Sequence, residues 1–430
     1  MDHAPVRSAR DCADQPPGAL SALWQRGRQT LGQGPTLMLL TRQVVAAIVA
    51  FAMNVMSARV MAPAGRGTLA LLLQITFLLS VIAMLGIERP YVARRQVPFA
   101  TAITELELLL RPGFLFAAAS LLVGVGLAAS GHLELGIASA LVSVYLFGNM
   151  YYQAIRTAFI ASGAVKYFII SALVSQVGLF LLGIIFLVTD VRDPHIWFLA
   201  YAAVSFTSVV IAWLNRDGAV AGPLRSDPTL QVIRSQGLKL LPASLGNTAM
   251  LRSDRLLLPL LASTSELGIY VVVATVMEMG TWPVQQWVDA SLRKWNLAIS
   301  RTPSQGFILM AKAGAVVAAL SLAFGVLAYE TVIRVLPVAY HQSLVLIVPL
   351  GIASVFYAMT RVQQGLLVAQ GHAGRVSAVE ATGMIASVAM YVLLIPGHGA
   401  MGAALGSLIG YFACLVAGAV VFARSRPVHD

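Results

Sequence analysis

Apolar runs of about twenty residues, broken by short polar or Gly/Pro-containing stretches, recur along the whole chain. A bilayer-crossing helix needs about 20 mostly apolar residues. The pattern predicts twelve such helices, at 37–60, 68–87, 112–130, 134–154, 166–189, 195–214, 238–262, 267–288, 307–328, 343–369, 374–396 and 399–422. One span is unusual: residues 242–261 are apolar enough to cross, yet Arg252, Asp254 and Arg255 sit near their middle. A charge at membrane depth is expensive and persists mainly where it faces a bundle interior, a watery cavity or a partner charge.

The breaks organise the chain. Twelve spans put both ends on one side, and the longest connection on that side, 215–237, falls at the midpoint. The expected division is a tail at 1–36, an N-lobe of helices 1–6 at 37–214, a linker at 215–237, a C-lobe of helices 7–12 at 238–422 and a tail at 423–430. The halves align at an offset of 201: Ala64-Gly65-Arg66-Gly67-Thr68-Leu69 falls on Ser265-Glu266-Leu267-Gly268-Ile269-Tyr270, and Glu88 on Asp289. The basic pairs Arg94-Arg95 and Arg293-Lys294 follow. Similar halves in one orientation make parallel repeats about an axis along the membrane normal, with a transport site between them. The fold expected is an all-α polytopic membrane protein with two six-helix lobes, related by a parallel pseudo-two-fold repeat, around a central cavity.

Composition agrees. The chain is 58% hydrophobic and 11% charged, with mean hydropathy +0.80, against about 25% charged residues in soluble domains. The net charge of +11 could suggest nucleic acid in a soluble protein; here the placement of the charge is the signal. Of 29 Lys and Arg, 21 fall on the side of the termini, and only Arg66, Arg192 and Arg334 in the opposite loops. The positive-inside rule then predicts cytoplasmic termini, and a bacterial inner membrane is the expected location. The first 35 residues have no apolar secretory core and are expected to be a cytoplasmic tail. Cys12 and Cys414 lie too far apart in sequence for a disulfide framework, and no metal-type Cys/His cluster or Walker-type loop appears. No cofactor, metal or nucleic-acid partner is expected, and the short outer loops leave no room for an enzymatic domain.

Several segments resemble the polysaccharide-unit flippases (O-antigen, capsule or exopolysaccharide) of the multidrug/oligosaccharidyl-lipid/polysaccharide exporter superfamily. They are Ala62-Pro63-Ala64-Gly65-Arg66-Gly67 with its counterpart at 265–270, Leu85-Gly86-Ile87-Glu88-Arg89, Arg252-Ser253-Asp254-Arg255, residues 364–371 and residues 394–404. The likeness covers about residues 36 to 422 and departs from the pattern at Thr68-Leu69, where the second half has Ile269-Tyr270. It implies two six-helix lobes around a cavity and a short oligosaccharide on polyprenyl pyrophosphate as cargo, moved to the outer leaflet by alternating access. Membrane lipids, a polysaccharide polymerase or co-polymerase and glycosyltransferases are the implied partners.

The candidate site residues follow from spacing. Arg252 and Arg255 share a helix face at i, i+3. From Leu238, Arg252 lies about 21 Å along its span. Two guanidiniums on one face repel unless an anion sits between them. Pyrophosphate suits, since the planar fork bonds its oxygens bidentately; an acid from another helix, such as Glu278, is the bland alternative. Arg42 either snorkels to the interface or meets the incoming headgroup. Arg361, with Gln364 at i+3, is read as a structural hydrogen-bonding group or a cavity cation. Glu278, Trp282, Gln285 and Asp289 form one stripe of the eighth span, where Pro283 should kink the helix. That stripe suits a sugar-handling wall or plain helix packing. Asp254 and Glu278 are the candidates for ion coupling.

Other polar positions are assigned to packing: Tyr145, Asn149, Tyr152 and Arg156 to helix contacts, and Asn54, Gln74 and Gln176 to interhelical hydrogen bonds. Glu105 and Glu107 are expected on a solvated face. The closest rival function is an ion-coupled multidrug exporter of the same superfamily. It would want a carboxylate within the N-lobe spans, and the span at 37–60 has none. A glycan polymerase or ligase, or a non-transporting scaffold, are the remaining alternatives.

Overall fold

The structure, a computed structural model, describes residues 43–214, 227–288, 291, 303–370 and 372–424, apart from the side chains of 165–168, 243, 247, 303–305, 369 and 373. The first lobe runs α1 (Gln43–Val60), α2 (Pro63–Ala83), α3 (Glu88–Arg94), α4 (Phe99–Leu109), α5 (Arg111–Ala129), α6 (Leu133–Ala161), α7 (Val165–Val188) and α8 (Pro194–Leu214). The second runs α9 (Pro228–Leu261), α10 (Thr264–Met279), α11 (Trp282–Val288), α12 (Pro303–Arg334), a 3-10 segment (Val338–Leu346), α13 (Ile347–Ala369) and α14 (Ala373–Arg424). No strand occurs among the described residues.

The spans match the hydropathy pattern, with informative exceptions. Helix α14 joins two expected spans; its backbone leaves helical geometry at Gly399, with φ 51° and ψ −127°, so it crosses twice. That left-handed φ is accessible to glycine without a Cβ penalty. Helices α10 and α11 bend by 42° at Gly280-Thr281, one turn ahead of the kink expected at Pro283. Proline lacks the N–H that Met279 carbonyl would receive, and the Thr281 hydroxyl donates to Glu278 O at 2.8 Å at the break. Helix α9 begins at Pro228, inside the stretch expected as linker. It is long, but Arg234, Lys239, Arg252, Asp254 and Arg255 keep it out of the set of helices apolar enough to cross by composition alone.

Counting α14 as two passes, α10 with α11 as one and α9 as one, the described helices make twelve passes, which puts residues 43 and 424 on one side of the bundle, the terminal side. On the opposite, far side the two lobes meet at α2 and α10, which the repeat makes equivalent. A Cβ at Gly67 would stand 1.7 Å from the Thr264 carbonyl oxygen, and one at Gly268 would stand 1.9 Å from that of Pro63. Both pairs, 67 with 268 and 63 with 264, are offset by 201. Each repeat therefore offers the same surface to the other, as in an isologous contact. Tyr340 adds a bond across the same seam, its hydroxyl donating to Met61 O at 3.0 Å.

On the terminal side the expected solvated acid is buried. Glu105 is fully buried, accepting from the Tyr91 hydroxyl at 2.8 Å and from Arg95. Arg95 reaches on to Asp227 at 2.9 Å, and Asp227 caps α9 by accepting from the Thr229 N–H at 2.8 Å. An unpaired carboxylate could not stay buried there, so α3, α4 and the start of α9 are tied together through one arginine. The Thr229 N–H, then Arg95, holds the Asp227 carboxyl below its ordinary value. A depressed pKa contributes stability above the unfolded value, and this is lost as pH falls through the folded one. Asp227→Ala is expected to cost about 1 kcal/mol, the worth of a cap, seen as faster amide exchange at Thr229–Gln231. Acidification below about pH 4, the ordinary Asp range, should lower the protection factors of the same amides, and Asp227→Asn should remove that pH dependence.

Candidate functional site

A hollow of about 570 Å³ lies between the lobes. Its lining starts at Arg66, on the first turn of α2 beneath the far seam, and extends to Ala46, Gln153 and Trp282 toward the terminal side. The N-lobe supplies α1, α2, α6, α7 and α8; the C-lobe supplies α9, α10 and Trp282. The charged lining residues are Arg66, Arg252 and Arg255, and among the described residues the lining includes no carboxylate.

Glu278 stands just behind this wall and answers the repulsion between the two α9 arginines. Its carboxylate accepts from Arg252 Nη1 at 3.0 Å and from Arg255 Nη2 at 2.5 Å. The anion that the i, i+3 spacing demanded is thus supplied by the chain itself, which corrects the reading that an empty fork waits for pyrophosphate. Two guanidiniums against one carboxylate still leave the trio with one excess positive charge. Arg252 also lies 5.9 Å over the Phe77 ring of α2, a cation–π contact between lobes. The Arg255 Nε has no partner.

Arg66 is the residue that sequence reasoning missed. It was assigned to a far loop, yet Pro63 at the first helical position starts α2 three residues earlier. Arg66 is 94% buried, since only 6% of its surface is exposed. Its one described bond is Nη2 to Asn54 Oδ1 at 2.6 Å, and Nε and Nη1 have none. Arg66, Ala70, Gln74 and Phe77 line the hollow along one stripe of α2, a helical period visible in the sequence once the helix start is set at Pro63. Gln74, Gln176, Tyr145, Asn149 and Tyr152, assigned to packing, also line it.

The other expected site residues are spread out. Trp282 lines the hollow, and with Gln285 it also lines a smaller polar space of about 50 Å³ that includes Arg252, Glu278 and Tyr357. Gln285 is within 3.4 Å of the Thr281 and Tyr357 hydroxyls and does not line the main hollow. Asp254 is turned into the C-lobe, accepting from the Tyr270 hydroxyl at 2.6 Å and from the Arg255 backbone N–H at 2.8 Å. Of the two readings of Arg361, the structure fits the structural one and not the cavity cation: it bonds Gln364 at 3.0 Å, lies 3.8 Å from Glu380 and does not line the hollow. Arg42 and Asp289 lie outside the described residues.

No family description matches the sequence, and no curated protein does. Solved structures do match in shape. An inward-facing multidrug resistance MATE family transporter of the MOP superfamily superposes with TM-score 0.68 at 12% identity, covering 89% of this chain and 94% of that one. The fold is that of this solved transporter. The lipid II flippase MurJ in an inward closed conformation matches with TM-score 0.63 at 12% identity, over 90% of this chain and 87% of that one. An outward-facing MATE transporter matches with TM-score 0.60 at 15% identity, over 90% and 93%. The shared fold accounts for the two-lobe, all-helical, multi-pass layout, and the solved structures that have it include a multidrug resistance transporter and a lipid II flippase.

Proposed function

We propose that this chain is a flippase that carries polyprenyl-pyrophosphate-linked oligosaccharide units from the terminal-side leaflet, the cytoplasmic leaflet of a bacterial inner membrane, to the far leaflet for polysaccharide biosynthesis. The observation that carries the reading is the sign of the hollow. Its wall has three arginines, one carboxylate behind it pairs with two of them and neutralises one charge, and Arg66 has no acidic partner among the described residues. A buried guanidinium without a counter-charge is unfavourable, and a pyrophosphate relieves it with charge-assisted, fork-matched bonds.

The hollow's size is within the about 300–1,000 Å³ of ordinary ligand sites, room for a headgroup with its first sugars. Amides, tyrosines and Trp282 supply hydrogen bonds and a flat ring for them, and the prenyl tail stays in lipid. With the far seam shut by Gly67 and Gly268, this state is the one that loads. Outward movement of negative charge is favoured by an inside-negative potential, at about 2.3 kcal/mol per charge per 100 mV. The rival cargo, a cationic drug, fits the same fold and meets a wall of the wrong sign.

Arg66→Met and Arg255→Ala are each expected to lower delivery of the lipid-linked oligosaccharide to the far leaflet about 10- to 100-fold at unchanged protein level. That is the worth of one or two hydrogen bonds to a charged group. Arg252→Lys should also fall short, because an ammonium cannot fork. Far-leaflet delivery in reconstituted vesicles is the measurement, with efflux of a cationic dye as control. Unimpaired delivery by the Arg66 and Arg255 variants, or dye efflux by a wild type that moves no lipid, would end this reading.

A further inference from the structure

The far seam and the cation without a counter-charge meet in one side chain. Asn54, 3% exposed on α1, accepts from Arg66 Nη2 at 2.6 Å. Its Nδ2 donates to Val272 O, in α10 of the opposite lobe, at 3.0 Å. A carboxamide has one accepting and one donating end. While the guanidinium holds the accepting end, the donating end points at α10. Polarisation along the chain of bonds strengthens both.

Arg66 cannot hold Asn54 and take up an anion in its present pose. Nε and Nη1 are its donors without a partner, and both are shut off from the space they border. An anion in the hollow engages that edge only if the guanidinium turns toward it, and turning takes Nη2 away from Asn54.

We propose that Asn54 is a release latch between the anion site and the far seam. When an anion draws Arg66 into the hollow, the Arg66–Asn54 bond breaks, the amide is freed to turn, and its bond to Val272 is lost. Among the described residues the seam is then held by the Tyr340–Met61 bond, the glycine contact and the packing of Ala58 and Ala70 against α10. A ligand shifts a conformational equilibrium only through interactions that differ between the two states. Arg66 supplies that difference, because it serves either the latch or the cargo. This rests on the anion reading above.

The test uses the full chain in lipid nanodiscs, with Cys12→Ser and Cys414→Ala removing native thiols. Spin labels go on His132→Cys and Ala339→Cys, exposed far-side positions in opposite lobes. Inorganic pyrophosphate is the ligand, its binding measured by calorimetry. In the otherwise wild-type protein, pyrophosphate should move the label distances toward the longer, far-open population. Asn54→Leu should populate that state without any anion, with the open-to-closed ratio raised about three- to tenfold, the effect of one hydrogen bond. Asn54→Asp keeps a partner for Arg66 but has no donor for Val272; it should be open without anion and unresponsive to pyrophosphate. If Asn54→Leu does not fold, Asn54→Ser, too short to reach Val272, replaces it.

A wild-type distance distribution in the anion-free Asn54 variants overturns the latch. Pyrophosphate that binds but leaves the distances unchanged overturns the trigger. Pyrophosphate that does not bind at all overturns the anion site, while the anion-free comparison still decides the latch.

Discussion

Gly67→Ala and Gly268→Ala should each stop transport and leave the chain unable to close its far side. The added methyl would lie 1.7 Å from Thr264 O in one variant and 1.9 Å from Pro63 O in the other. Both obstacles are backbone, which cannot swing aside as a side chain can. Ordinary contact needs about 3.5 Å or more between heavy atoms, so α2 and α10 must separate by well over an ångström. Packed interfaces switch between discrete arrangements and do not stretch, so the seam should open outright. The expected result is a loss of far-leaflet delivery with preserved expression. A cysteine at Ala70, on the hollow's wall, should become reactive to a membrane-impermeant thiol reagent from the far side. The contact is reciprocal, so the two variants should behave alike. Normal delivery with a protected Ala70→Cys in either would remove the seam from the mechanism.

Replacing Glu278 should have the second largest effect, on folding and binding in opposite senses. Glu278→Gln keeps the shape and removes the charge that both Arg252 and Arg255 contact. Breaking a deeply buried pair costs about 3–5 kcal/mol. Here the three side chains are 31%, 26% and 10% exposed, so screening in the hollow reduces the expected cost to about 1–3 kcal/mol. The variant should melt earlier while binding pyrophosphate about tenfold more tightly, from one further unit of positive charge acting at an effective dielectric near that of a protein surface. Release should slow in step, lowering turnover. Unchanged pyrophosphate affinity in Glu278→Gln would mean that Arg252 and Arg255 do not face the cargo. The triple variant Glu278→Gln, Arg252→Met, Arg255→Met should recover stability and bind pyrophosphate weakly, separating the structural role of the trio from its electrostatic one.

Much of the architecture was legible before the structure. Apolar run lengths anticipated most of the spans. The offset of 201 linked Gly67 with Gly268, and the structure shows those two glycines in contact. The site was legible only in part. The Arg252/Arg255 spacing correctly demanded an anion, but whether it came from cargo or from α10 depended on how α10 is rotated against α9, which puts Glu278 against both arginines. Arg66 was misplaced because a boundary error of five residues turned a first-turn helical residue into a loop residue. Arg361 and Asp254 are also charged residues inside expected spans, and they point into the C-lobe.

The sequence by itself determined that this chain is a two-fold-repeated, twelve-span helical bundle with a strongly asymmetric charge distribution, since apolar length and charge placement are properties of residues taken one segment at a time. The tertiary structure decided which polar residues share a wall. Whether an intramembrane guanidinium faces a carboxylate, a ring or an open hollow depends on helix rotation and on contacts between residues more than two hundred positions apart, such as Asn54 with Val272.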